Sequence, residues 1–170
     1  MKATVNTLEL KVLFEISRII GRALDLDHAL HSVLKILSDS LEMKRGTVTL
    51  KDDASGNLTI RASHGLSEAE EKRGVYRQDE GITGLIFSTA EPFVVPDISR
   101  EPLFLNKTRS REIEKVRIAF LGVPILLHGL PAGVLSTKGV YPKGSINHLV
   151  VERLALLADK ARETAHKKDD

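Results

Sequence analysis

The sequence predicts an α+β fold in which a central antiparallel sheet is flanked by helices. Three observations carry that prediction. Apolar residues recur at helical spacing near both ends of the chain, and between them they alternate with polar residues at strand spacing. The strand-like runs also come in pairs joined by short turn sequences, which means local antiparallel pairing rather than a doubly wound parallel sheet.

Residues 4–22 are predicted to form the first helix. Val5, Leu8, Val12, Ile16 and Ile19 recur at three- and four-residue steps, and Leu13, Phe14 and Ile20 widen the stripe. Gly21 and Asp25–Asp27 mark a break, with Asp27 the expected N-cap of a second helix that runs to about Met43. Leu30, Val33, Leu34, Leu37 and Leu41 form its buried side. From Gly46 the period shortens. Thr47-Val48-Thr49-Leu50 and Leu58-Thr59-Ile60-Arg61-Ala62 alternate around the turn cluster Asp52–Asn57, predicting a hairpin over 46–62. Leu66–Arg73 reads as a charged surface helix opened by Ser67.

Gly81-Ile82-Thr83-Gly84 leads into a short helix through Thr89, and Phe93-Val94-Val95 is a brief strand ended by Pro96. An irregular loop over 97–108 carries Phe104 and Leu105, and 109–117 suits a charged, exposed helix. The apolar runs Ile118–Leu127 and Pro131–Thr137, joined by His128-Gly129-Leu130, read as the central hairpin of the sheet. Ser145 begins the last helix, on which Ile146, Val150, Leu154, Leu157, Ala161 and Thr164 share one face. With no repeat or linker, one domain is expected, its core at about 24–140 and its terminal helices at about 4–22 and 145–165.

Composition narrows the function classes. Hydrophobic residues make up 42% of the 170, enough for a core, and at 4% aromatic that core must be mainly aliphatic. A net charge of +2 asks for no polyanionic partner, so direct nucleic-acid binding is not expected. The absence of cysteine excludes disulfides, zinc–thiolate sites, thiol nucleophiles and thioether-attached chromophores. Met1–Phe14 lacks the apolar stretch of a signal peptide, and no window approaches the ~18 apolar residues of a membrane span. A cytoplasmic location follows as an expectation.

Catalytic signatures are missing. There is no GxSxG elbow, no GxGxxG and no triad-like spacing of Ser, His and Asp, so no enzyme is expected. Gly139–Ser145 superficially resembles a phosphate-binding loop, but proline and glycine stand where flexibility and the phosphate-binding lysine are needed. His28 and His31 have metal-like spacing without a third ligand, and His64 suits a turn role, so no metal site is expected. The bases Lys107, Arg109, Arg111, Lys115 and Arg117 alternate with Glu112 and Glu114 as on a solvated helix face, although Arg109 and Arg111 remain anion-binding candidates. The glycines of Gly81–Gly84 suit either a close-approaching ligand or simple turn formation and tight packing.

DEGITGLIFSTAEPFVVPDISREPLF (79–104) and FLGVPILLHGLPAGVLS (120–136) together resemble the core of the GAF domain family. The shared pattern is a Gly-x-Thr/Ser-Gly helix start, a Gly-x-Pro turn, a Val-x-Asp strand end and a final hairpin with Val-Pro and Gly-Val-Leu. Ala90 stands where the turn glycine is usual. Residues 13–50, 62–84 and 95–108 resemble more narrowly the N-terminal domains of NifA-type, sigma-54-dependent activators of nitrogen-fixation genes, a likeness over roughly residues 8–160.

The resemblance implies a five- or six-stranded antiparallel sheet, with the terminal helices together on one face and a binding pocket on the other. It implies a regulatory domain that senses a small molecule, with 2-oxoglutarate a possible effector and no bound cofactor otherwise. Thr83, Phe104, Asn106, Arg109 and Phe120 are the pocket candidates: two hydrogen-bonding groups, one cation and two aromatic walls. Asn106-Lys107 is not followed by the residues expected of cyclic-nucleotide binders, and the sulfoxide reductases of this fold need cysteines that are absent here. Val5, Leu8, Val12, Ile146, Val150, Leu154, Leu157 and Ala161 are candidates for a helical homodimer interface. Expected partners are a downstream ATPase domain and a regulatory protein, without a membrane. The alternative is a degenerate GAF domain with a filled cavity, used only for dimerisation or protein docking.

Overall fold

The computed structural model describes residues 7–22, 25–41, 44–108 and 118–140. Six strands form one sheet in the order β3-β2-β1-β6-β5-β4, every neighbouring pair antiparallel. The strands are β1 (Arg45–Lys51), β2 (Leu58–His64), β3 (Val75–Tyr76), β4 (Phe93–Val95), β5 (Ile118–Leu127) and β6 (Leu130–Val140). Helices α1 (Thr7–Arg22), α2 (Leu26–Leu41), α3 (Glu68–Arg73) and α4 (Gly81–Thr89) and a single 3-10 turn (Ile98–Arg100) complete the described chain. The α+β prediction holds. The expected helices at 109–117 and 145–165 lie outside the described residues, as do Arg109, Val5, Ile146, Val150, Leu154, Leu157 and Ala161.

The second helix starts earlier than the sequence suggests, and its capping residue is Asp25 rather than Asp27. Asp25 Oδ1 accepts from the Asp27 amide at 3.1 Å, while its carbonyl accepts from the Ala29 amide. Asp27, already in the first turn, turns its carboxylate to Arg61 on β2, 2.8 Å away. Leu34, 1% exposed, anchors α2 on the sheet against Val48 and Ala62, with Leu30, Leu50, Ile125 and Leu135 around them. α1 packs on α2. Val12 is buried there, whereas Leu8, Leu10, Leu13 and Phe14 are exposed.

The opposite face carries the larger core. Ile86 and Phe87 of α4 pack with Leu58, Ile118, Phe120 and Val134 of the sheet. A bulge in β2 assigns residues to the two faces: Val48 pairs with Ala62, but Thr49 pairs with Ile60. The extra residue reverses the side-chain phase, so Ala62 faces α2 while Leu58 joins the α4 core. Simple alternation over 58–62 does not reveal that switch.

Two further details differ from expectation. β3 is only two residues long, too short to leave a periodic signal, and pairs with Leu58 and Thr59. β6 runs on to Val140, because its hydrogen bonds to β5 continue past Thr137. The β5–β6 turn is His128-Gly129, with φ of 52° and 80°, the left-handed pair a two-residue hairpin demands, and Leu130 already belongs to β6. Among the described residues no helix is long and apolar enough to cross a membrane.

Candidate functional site

Several polar side chains of the two central strands are turned inward. Thr47 and Thr49 of β1 and Ser136 and Lys138 of β6 point to the α4 side, where α4 and the 101–108 segment cover them. They line a small chamber of about 20 Å³, room for roughly one water molecule. Thr49 is 3% exposed, and Thr47 and Ser136 join their hydroxyls at 2.8 Å. Thr83 from α4 and the buried Thr108 add two more hydroxyls. Ile82, Phe104, Leu105 and Phe120 supply the apolar wall, with the rings of Phe104 and Phe120 edge to face at 6.0 Å. Tyr76 closes one side, and burial, with Glu80 nearby, pushes its phenol up to about 12.

Outside this chamber lies an open concavity of about 570 Å³, lined by Arg73, Glu80, Asn106 and Lys107. Phe104 and Leu105 line both spaces, so their side chains are the partition between them. Two basic residues tie that partition down. Lys107 Nζ meets Glu80 Oε2 at 2.7 Å and donates to the Val75 carbonyl at 2.9 Å, while its charge stands over the Tyr76 ring. Arg73 donates from Nε and Nη2 to the Thr108 carbonyl at 3.2 and 2.7 Å. The Lys107 hydrogen bond, then the Arg77 amide, hold the Glu80 carboxyl below its usual range.

Local sequence explains how the segment comes so close. Gly81 opens α4 with φ of 63°, and a Cβ there would stand 2.8 Å from Leu105 Cδ1. Gly84 has the backbone of residues 77–79 against it, where a Cβ would meet the Arg77 oxygen at 3.0 Å. Close packing therefore accounts for both glycines.

Of the sequence-derived pocket candidates, Thr83, Phe104 and Phe120 share the chamber. Asn106 lines the outer concavity instead, and Arg109 lies outside the described residues. Sequence reasoning passed over Thr47, Thr49, Tyr76, Thr108, Ser136 and Lys138. The signal available for four of them was their position at polar steps of strands that prove to be covered on both faces. Among the described residues no cluster of three metal-ligating side chains occurs.

The family model for the GAF domain matches residues 25–163. The chain is 42% identical over 160 residues to a Nif-specific regulatory protein of Herbaspirillum seropedicae, covering 92% of this chain and 29% of that protein. It is 36% identical over 151 residues to the nitrogen fixation protein VnfA of Azotobacter vinelandii, covering 88% and 29%. The chain thus spans under a third of the length of these curated relatives. Among solved structures, the A. aeolicus nlh2 GAF domain superposes with a TM-score of 0.70 at 23% identity, covering 89% of this chain and 91% of that one, a likeness of fold. The chain belongs to the GAF domain family and is similar over most of its length to regulators of nitrogen fixation.

Proposed function

We propose that this chain is the small-molecule-sensing regulatory domain of a NifA-like activator of nitrogen-fixation genes. The observation that carries the reading is the 42% identity to a Nif-specific regulatory protein along 92% of the chain. In this reading an effector, with 2-oxoglutarate the first candidate, enters the chamber beside Thr83, Phe104 and Phe120 and biases the packing of the terminal helices. Those helices pass the bias to a downstream ATPase domain, by no more than the ligand's differential affinity for the two packings. The domain itself performs no chemistry and acts as a cytoplasmic homodimer, to which exposed Leu8 on α1 contributes. Arg109 is the proposed carboxylate partner, and Asn106 a proposed hydrogen-bonding group.

Isothermal titration with 2-oxoglutarate is the direct test. Saturable heat that disappears in Arg109→Ala is the expected result, and silence across a metabolite panel would sink the sensing role. A second reading has its own support. A chamber with room for about one water, plugged by Phe104 against Phe120, suits a filled GAF domain used only for dimerisation or docking. That reading expects no ligand and an unchanged oligomeric state when metabolites are added.

A further inference from the structure

We infer that Arg73 makes the outer concavity a binding site for the carboxylate of a small organic acid with an apolar body, and that the occupied site clamps the 101–108 segment in place. This goes beyond the reading of the chamber and does not depend on it. Arg73 ends α3, a helix that carries the acids Glu68, Glu70 and Glu71, yet none of them pairs with it. Glu68 meets Lys72 at 2.7 Å, Glu70 meets Arg45 at 3.5 Å and accepts from the Ser67 amide, and Glu71 accepts from the Ser63 hydroxyl. Glu80, which lines the concavity together with Arg73, is taken by Lys107. Arg73 is left with a neutral partner, the Thr108 carbonyl, and among the described residues no carboxylate reaches it.

The geometry of that contact sets what can bind. Nε–H and one Nη2–H converge on the Thr108 oxygen at 3.2 and 2.7 Å, which uses one edge of the planar guanidinium. The other edge, Nη1–H with the second Nη2–H, keeps two parallel donors, the fork that a carboxylate accepts as a bidentate pair. Phe104 and Leu105 give the wall an apolar part, and about 570 Å³ is room for a small molecule. The described charges lining the concavity are Arg73, Lys107 and Glu80, an excess of one positive charge, which matches one carboxylate better than a phosphate dianion. Because Thr108 already orients the guanidinium, a ligand loses little entropy in ordering it. By linkage, the bound ligand holds Arg73 on Thr108 in return. Thr108 also lines the chamber, so the clamp touches both spaces.

The test uses the full chain, Arg73→Met, Arg73→Lys, Glu80→Gln and Arg109→Ala, each checked for folding by circular dichroism. Hexanoate, its uncharged analogue hexanamide, 2-oxoglutarate and inorganic phosphate are titrated against isotope-labelled protein, with the NMR signals of Arg73 Nε–H and of the 101–108 amides as reporters. Amide exchange over 101–108 is followed in parallel. The expected result is saturable hexanoate binding that weakens about 10- to 100-fold in Arg73→Met and about 3- to 10-fold in Arg73→Lys, which keeps the charge without the fork. It should survive in Arg109→Ala, and hexanamide should not bind. At ten times its Kd, hexanoate should slow exchange over 101–108 by up to about 10-fold. Glu80→Gln separates direct contact from ordering alone. It releases the Lys107 tether and removes a negative charge from the wall, so exchange should rise while hexanoate binds at least as tightly. Hexanoate that never saturates, that ignores Arg73→Met, that binds no better than hexanamide or phosphate, or that is lost in Glu80→Gln overturns the assignment. Binding of 2-oxoglutarate that is lost in Arg109→Ala and kept in Arg73→Met overturns it as well, and leaves the chamber reading standing.

Discussion

Ala90 ends α4 with φ of 55° and ψ of 27°, a left-handed conformation that disfavours any side chain with a Cβ. Glycine adopts this conformation without that penalty. Ala90→Gly should therefore raise unfolding stability by about 0.5–1 kcal/mol in urea denaturation, the relieved strain exceeding the entropy lost from the unfolded chain. At Gly81 the direction reverses. Gly81→Ala meets both a positive φ and the Leu105 side chain, and should cost about 1–3 kcal/mol while speeding amide exchange over 101–108. Denaturation with exchange read by mass spectrometry checks both effects. The residue scale also shows where sequence reasoning slips by a turn: Asp25 and Asp27 are both adequate caps by type, and only the position of the first helical amides selects Asp25.

At the scale of elements, α3 is held by local chemistry. The Ser67 hydroxyl accepts from the Glu70 amide, the Glu70 carboxylate accepts from the Ser67 amide, and Ser67 is legible in sequence as the opening residue. Ser67→Ala should destabilise the domain by about 0.5–2 kcal/mol in the same denaturation assay. The 101–108 strap is different, because its tethers come from three separate elements: Arg73 at the end of α3, Val75 of β3 and Glu80 before α4. Here the sign of the pH effect follows from Glu80, whose folded carboxyl is depressed below its ordinary value of 4.5, first by Lys107 and then by the Arg77 amide. A depressed carboxyl contributes stability that is fully present above its unfolded value and is lost as pH falls through the folded one. Protection of 101–108 should accordingly stay flat from neutral pH down to the carboxylate range and decline below it. Glu80→Gln should remove that acid step, and an unchanged step in the variant would show that another group controls the strap.

For the whole molecule, the two faces of one sheet bury separate clusters around Leu34 and around Ile86. Each is 1% exposed or less, so Leu34→Ala and Ile86→Ala should each cost about 2–5 kcal/mol in denaturant unfolding. They lie on opposite faces, and the double variant should be near additive, which a double-mutant cycle measures. On α1, Leu10, Leu13 and Phe14 remain exposed, at 55%, 60% and 65%. If the domain dimerises through α1, Leu13→Glu should shift sedimentation equilibrium toward monomer without altering the fold.

The sequence alone determined most of the elements and their antiparallel pairing, because both depend on local periodicity and turn chemistry that leave a mark within a few residues. Ser67, Pro96 and His128-Gly129 are such marks. Only the tertiary structure decided what covers the polar steps of β1 and β6. Thr47 and Lys138 look solvent-facing along the chain, and become chamber walls because α4 and the 101–108 segment, distant in sequence, close over them. The β2 bulge is equally silent in the pattern. Which face a side chain joins there depends on register with a neighbouring strand, and no single strand carries that information.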